Sequence, residues 1–324
     1  MVWGLLALPV GFLLDLVLGD PAGIPHPVVG IGKLISIFEK IFRRICPKTA
    51  RGENLAGLLV WIFTVALSAG VPFGILFGCY RVSPILGFAI ESIMCWQILA
   101  TKSLRDESMK VYDALEHGSL EDSRRAVSMI VGRDTASLTD EGVTKATVET
   151  VAENTSDGIV APMIYMAIGG AVLGFAYKAV NTMDSMLGYV EEPYKNIGLV
   201  PARADDVANF LPARISAFFM LVAGALLGMD AKRGWRIFKR DRYKHASPNS
   251  AQTESVCAGL LGLQLAGDAW YHGVLHRKEH IGDPVYAIEH RDIRRACALM
   301  YATAGVSLGV CVALRCAVAA LLLL

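Results

Sequence analysis

Glu149, Glu153 and Asp157 stand at i, i+4 and i+8, so a helix would carry all three carboxylates on one face. Like charges at that spacing repel by roughly a few tenths of a kcal/mol per pair. Such a run needs water, with Asp157 capping the next helix, or a cation. Mg²⁺, alone or carried by a phosphate, asks a protein for carboxylates and little else. Asn154 and Asp157 also belong to a hexamer, A-x-N-T-x-D at 152–157, that recurs at 179–184 with Asn181 and Asp184. Extending the repeat adds almost no identities. It reads as one local device used twice, a helix end presenting Asn and Asp to one place.

Four more stretches have the same chemical flavour. "YKAVNTMDSMLGY" adds Lys178, and "ADDVANFLPAR" supplies Asp205, Asp206, Asn209 and Arg214 just after Arg203. "HASPNSAQTES" supplies His245, Ser247, Asn249 and Glu254, and "DLVLGDPAGIPHP" supplies Asp15, Asp20 and His26. Acids mixed with Asn, Arg and Lys suit a bound nucleotide and its metal; loop chemistry and helix capping are the alternative for each stretch alone. Other patterns fail. "VVGIGKLIS" would need Gly at 27 and Ser or Thr at 34 to be a phosphate loop, and Pro27 and Leu34 stand there. "HRKEH" at 276–280 matches an inverted zinc-protease pattern, and His272, His276 and His280 would share a helical face. Ile281-Gly282-Asp283-Pro284 ends any helix at once, so a solvated helix end is the reading. No nucleophile elbow or Cys/His pairing offers a covalent nucleophile.

The elements that must position these groups are apolar. Of 324 residues, 54% are hydrophobic and 19% charged, with mean hydropathy +0.45; a soluble domain carries about 25% charged residues. Membrane-length blocks are Val2–Leu18, Leu55–Cys79, Pro84–Ala100, Ile159–Tyr177, Leu211–Met229 and Leu299–Leu324. A weaker one, Val256–Trp270, reads as a buried or interfacial helix. The fold class is all-α, a multi-pass helical membrane protein forming one integral domain over 1–324. A cytoplasmic helical insertion occupies 102–157, where Leu120, Val127 and Ile130 have the spacing of one helix face. Lys33–Arg51 holds six bases against one acid and Asp230–Lys244 seven against two, which puts both in the cytoplasm. If 159–177 crossed cleanly, the two hexamers would face opposite sides. Pro162, Gly169, Gly170 and Gly174 point instead to a broken or re-entrant helix, and 211–229 with Arg214 reads alike. The seven scattered cysteines imply neither disulfides nor zinc. A net charge of +1 gives no reason to expect nucleic acid.

Seven strings, in order, carry a resemblance: "LLDLVLGDP…HPVVGIGKLI", "SMIVGRDTASL", "VETVAENTSDGIVAP", "YKAVNTMDSMLGY", "ADDVANFLPARISA", "HASPNSAQTES" and "IGDPVYAIEHRDIRRA". Over nearly its whole length the chain resembles the adenosylcobinamide-phosphate synthases of cobalamin biosynthesis. The resemblance implies a multi-pass ligase of the cell membrane with a cytoplasmic active site. It would use ATP and Mg²⁺ to join aminopropanol phosphate, or ethanolamine phosphate, to a carboxylate of adenosylcobyric acid. On that basis Glu153, Asp157, Asp184, Asp205 and Asp206 are expected around Mg²⁺. Arg133, Lys178, Arg203 and Arg214 are expected on phosphates, and Asn154, Asn181 and Asn209 as orienting groups. Glu153 and either His26 or His245 would move protons. Asp20, Ser247 and Asn249 would touch substrate, with Ser247-Pro248-Asn249 as an exposed turn. The alternative is a non-catalytic membrane sensor or transporter on the same scaffold, working through Asp15 and Glu91.

Overall fold

Apolar blocks of these lengths become helices because a backbone in lipid must satisfy its own hydrogen bonds. The computed structural model describes residues 2–21, 23, 25–189, 191–271 and 273–321. In chain order the elements are α1 (Val2–Leu18), α2 (Pro27–Ile45), α3 (Ala50–Val82), α4 (Pro84–Trp96), α5 (Thr101–His117), α6 (Leu120–Ser128) and α7 (Asp140–Asn154). A π turn (Thr155–Val160) leads into α8 (Ala161–Leu187), followed by α9 (Leu199–Leu226), α10 (Ala231–Asp241) and α11 (Ser250–Leu261). Four three-residue strands, β1 (Gln264–Ala266), β2 (Ala269–Tyr271), β3 (Val274–His276) and β4 (His280–Gly282), precede α12 (Arg291–Leu321). Among the described residues five helical stretches are long and apolar enough to cross a membrane: Ala50–Val82, Pro84–His117, Asp140–Leu187, Leu199–Leu226 and Arg291–Ala317. The architecture is that of a multi-pass helical membrane protein.

The chain divides into two compact units, residues 1–100, 162–209 and 310–324 in one and 101–161 with 210–309 in the other. In the first, α1 packs on α4, and α3 on both α2 and α4. Gly11 allows the α1–α4 approach: a Cβ there would lie 2.5 Å from Cys95 Cβ and 2.9 Å from the Ser92 carbonyl oxygen. Trp96 Nε1 ties the same pair by donating to Gly19 O at 2.9 Å. At 1.5 Å per residue, the 33-residue α3 is about 50 Å long, beyond the roughly 30 Å of a hydrocarbon core. Its Leu55, Ile62, Phe63, Val71, Phe73 and Phe77 are all exposed. A helix apolar on every side and covered on few is one that lipid covers.

In the same unit α8 is broken where the glycines predicted it. Gly169 (φ −134°, ψ 26°) and Gly170 (φ 62°, ψ −163°) leave the helical region. A Cβ on Gly170 would meet Glu91 Oε1 at 2.4 Å, so this position needs glycine for its φ and for space. Tyr80 OH donates to the other Glu91 oxygen. The expectation for 211–229 is not met in kind: α9 runs on as a single helix through Pro212.

The second unit is where polar sequence meets burial. α6 carries a full capping box from Ser119 and Asp122, and Thr139 caps α7. Of the three residues expected on one α6 face, Val127 is buried, Leu120 is exposed and Ile130 lies beyond the helix end. α10 lies against α11 so closely that a Cβ on Gly259 would sit 2.7 Å from Gly234 Cα. All twelve residues of α11 are buried, and Gly262 ends it in the left-handed region. The apolar block 256–270 is therefore half helix and half strand. β1 pairs antiparallel with β4, β2 with β3. "HRKEH" runs from β3 into β4, not along a helix; the flanking glycines and Asp283-Pro284 favour turns over a helical run. His272 lies outside the described residues.

Candidate functional site

α7 presents Glu149 and Glu153 to the interior of the second unit because its other faces are filled by Val143, Ala146, Thr147 and Val151, all buried. Glu149 faces Arg133, whose Nη2 bonds Oε2; the backbone N–H of Ala266 donates to Oε1 at 2.6 Å. Ala266 holds φ 58°, rare for a residue with a Cβ. The segment thus accepts a strained conformation at the residue whose N–H meets the buried carboxylate. Glu153 Oε1 accepts from Ser250 Oγ at 2.7 Å, at the start of α11. Glu254, one α11 turn further in, is buried near both acids.

Burial, then repulsion from Glu153 and Glu149, pushes the Glu254 carboxyl well above the usual carboxylate range. Burial also works against the Arg133 charge, but the Glu149 carboxylate outweighs it and holds the guanidinium above its ordinary value. His245 goes the other way: burial lowers its pKa, and Glu153 only partly offsets that. Its Nδ1 accepts from Ser247 N at 3.0 Å, so a neutral imidazole is left at physiological pH. One cluster therefore holds the Arg133–Glu149 ion pair, a buried acid whose pKa is raised and a histidine whose pKa is lowered. Such divergent shifts mark sites that move protons.

The remaining sequence candidates fall into both units. Asp157 sits half-buried within the π turn, not at a cap; the wider i→i+5 turn takes it off the strict i+8 register of Glu149 and Glu153. Asn154 Nδ2 donates to Thr150 O at 3.0 Å. Asn249 was expected in an exposed turn, yet it is 5% exposed. It stands at the start of α11, with its N–H donating to Ser247 Oγ at 3.2 Å and Arg214 Nη1 donating to its Oδ1 at 3.4 Å. The turn is buried because α11, which it opens, is. Arg214 lies over the Phe210 ring, 3.6 Å from its centroid.

In the first unit, Asp205 and Asn209 form a second polar knot. Asn209 Nδ2 donates to both Asp205 oxygens at 3.0 Å, and Tyr177 OH donates to Asn209 Oδ1 at 2.8 Å. Tyr165 stacks on Tyr177 with centroids 4.9 Å apart. Asp206 pairs with the exposed Arg203 at 3.7 Å. Asn181 and Asp184 lie half-buried on the last turns of α8, one turn beyond Lys178. Asp184 Oδ1 lies 2.0 Å from where a Cβ on Gly188 would be, so the acid folds back on its own helix end. His26 caps α2, accepting from Val28 N at 3.3 Å, with Asp20 Oδ1 3.3 Å from its Nε2. Among the described residues no group of three or more His, Cys, Asp or Glu is arranged to hold a metal ion. Glu149, Glu254 and Tyr177 stand in stretches that the sequence marks, without a role of their own there; Lys278 and Tyr165 are not marked by it. Lys278 had no local signal, because its role comes from its place near the cluster.

Long lipid-length helices define a multi-pass helical membrane protein, and its second unit encloses a cluster of acids and bases. Comparison with known proteins is more specific. The family model described as "CobD/Cbib protein" matches residues 8–300, and the chain belongs to that family. It is 46% identical over 289 residues to the "Cobalamin biosynthesis protein CobD" of Geobacter metallireducens, covering 89% of this chain and 90% of that one. It is 44% identical over 311 residues to the protein of the same name from Klebsiella pneumoniae, covering 96% and 97%. To the "Cobalamin biosynthesis protein CbiB" of Salmonella typhi it is 43% identical over 312 residues, covering 96% and 98%. No solved structure matches it significantly.

Proposed function

We propose that this chain works in cobalamin biosynthesis as the ATP-dependent amide ligase that joins aminopropanol phosphate, or ethanolamine phosphate, to a carboxylate of adenosylcobyric acid. Family membership and the names of the relatives support the pathway. The observation that carries the reaction class is the Glu149–Arg133–Glu153–His245–Glu254 cluster. A carboxylate at neutral pH resists attack by an amine, and ATP turns it into an acyl phosphate with a good leaving group. The protein then has to position two anions, neutralise phosphate charge and take a proton from the incoming ammonium. Neutral His245 accepts that proton. Glu153 orients the amine, and Glu254, whose proton is favoured by burial, donates to an oxygen of the substrate. Arg203, Arg214 and Lys178 hold phosphates, Arg133 being taken up by Glu149, while Asn154, Asn181, Asn209 and Asn249 orient substrates, and Asp20 and Ser247 contact them.

Mg²⁺ is fitted only in its sparse mode. With no cage of three side chains among the described residues, one or two carboxylates would share the ion with ATP phosphates. Glu153 and Asp157, both half-buried on successive turns, would hold it; Asp184, Asp205 and Asp206 are further proposed ligands of Mg²⁺. When present the ion supplies charge neutralisation. The active site would face the cytoplasm, where ATP is. The test is direct. Protein in lipid nanodiscs, given adenosylcobyric acid, aminopropanol phosphate and Mg-ATP, should form adenosylcobinamide phosphate and release phosphate only when both acceptor and donor are present. Asp157→Asn and Asp184→Asn should each abolish this while the protein still inserts. ATP turnover indifferent to either substrate, or full activity of both variants at saturating Mg²⁺, rejects the reading. A sensor or transporter is favoured by one feature alone, the Glu91 carboxyl against the Gly170 break, and substrate-dependent amide formation separates the two.

A further inference from the structure

Trp270 sits in β2 with 46% of its surface exposed, opposite Leu275 in the β2–β3 ladder. The unit's other described tryptophan, Trp235, stacks on Phe238 at 5.4 Å. Among the described residues the Trp270 ring contacts no other aromatic ring and no cation. It borders instead an open pocket of about 690 Å³, whose other walls are Arg133, Asp134, Thr135, Ala136 and Ser137. The loop is fixed in place. Asp134 N donates to Trp270 O at 2.8 Å, and Gly273 N donates to Asp134 Oδ2 at 2.7 Å. Arg124 Nε secures the far end through Leu138 O at 2.8 Å, and Glu149 holds Arg133. A wide, shallow cleft with one aromatic wall and a few fixed polar groups can seat one face of a flat ligand.

The chemistry of the walls selects among ligands. Arg133 is already neutralised by Glu149, and Asp134 adds a carboxylate, so the pocket is poorly suited to a phosphate. An open indole face attracts a flat π system, and the Thr135 and Ser137 hydroxyls suit a sugar. We infer that this pocket holds an adenosyl group, with the purine against Trp270. That identity rests on the proposed reaction, in which two reactants carry adenosine: ATP, and adenosylcobyric acid through its upper ligand.

Equilibrium dialysis on protein in nanodiscs tests this without any turnover. Adenosine, ATP, adenosylcobyric acid and its cyano form are the probes. Trp270→Ala should weaken adenosine binding by roughly tenfold or more, the usual effect of removing a stacking partner, and Trp270→Phe should restore most of it. If ATP weakens in parallel but the corrinoids do not, the group is the nucleotide's. If the adenosyl corrinoid weakens and the cyano form does not, it is the corrinoid's. Should Trp270→Ala fail to fold, Ala136→Trp fills the hollow from its exposed wall and must also block adenosine. Adenosine, ATP and adenosyl corrinoid binding unchanged in a folded variant overturns the inference. Failure of wild type to form amide rejects the ligase reading instead, and adenosine binding is scored independently of it.

Discussion

Arg133 and Glu149 form a buried pair, and such pairs are valued by what is lost when half is removed. Breaking one leaves an uncompensated charge and costs about 3–5 kcal/mol. Arg133→Ala or Glu149→Gln should each lower the midpoint of thermal unfolding in detergent sharply. The double variant Arg133→Met, Glu149→Gln should recover part of the loss, because no lone charge remains. A double variant as unstable as the sum of its singles would show that the two do not compensate each other. Glu254 gives a pH signature. Its folded pKa lies well above its unfolded value of 4.5, so its contribution is fully present below about pH 4.5 and is lost as pH rises toward the folded value. Glu254→Gln should therefore stabilise the protein at pH 8 more than at pH 5. Equal effects at both would mean that the carboxyl is ionised in the fold.

His290 joins three helix ends of the second unit. Nε2 meets Asp140 Oδ1 at the start of α7 at 2.6 Å, and Nδ1 meets Glu116 Oε1 at the end of α5 at 2.9 Å, just before α12 begins. The hydrogen bond to Asp140 is the first cause raising its pKa above 6.5, with Glu116 adding to it against a smaller cost of burial. A raised histidine stabilises fully below pH 6.5 and stops doing so as pH rises through its folded pKa. His290→Gln should speed amide exchange in the first turns of α7 and α12 at pH 6, and change little at pH 9. Equal loosening at both values would make the contact one of shape, not charge. The membrane-length helices were readable as elements because length and apolarity announce them, as in α3, but their limits were not: α8 runs on past Tyr177, and α9 and α12 begin before their apolar blocks, because polar first or last turns extend the helices. α11 is the buried helix expected from Val256, but it begins at Ser250, because its Ser, Gln, Thr and Glu, which look solvated in sequence, are buried by packing on α10 and α7.

Sidedness concerns the entire chain. Both A-x-N-T-x-D segments are proposed to face the cytoplasm, although a long apolar helix joins them. Ser137 and Ser185 are exposed. In a background with all seven cysteines replaced, Ser137→Cys and Ser185→Cys should both react with an impermeant thiol reagent only from the cytoplasmic side. Labelling of Ser185→Cys from outside alone would put the second hexamer on the far side and reject its cytoplasmic assignment. The background is workable because all seven cysteines are free, so no disulfide is sacrificed.

Sequence alone was enough for the helical membrane class, the glycine break in α8 and the polar stretches that line the sites. Each is written in local terms: apolar run length, φ-permissive glycine, and carboxylates too costly to place in lipid without purpose. Folding alone decided which of those polar residues meet. Arg133 reaches Glu149, Ser250 reaches Glu153, and Ala266 turns its N–H onto Glu149, across separations of 16, 97 and 117 residues. It also decided their protonation. Glu254 and His245 depart from ordinary values because packing strips their water away and sets other charges beside them, and no spacing along a chain records either.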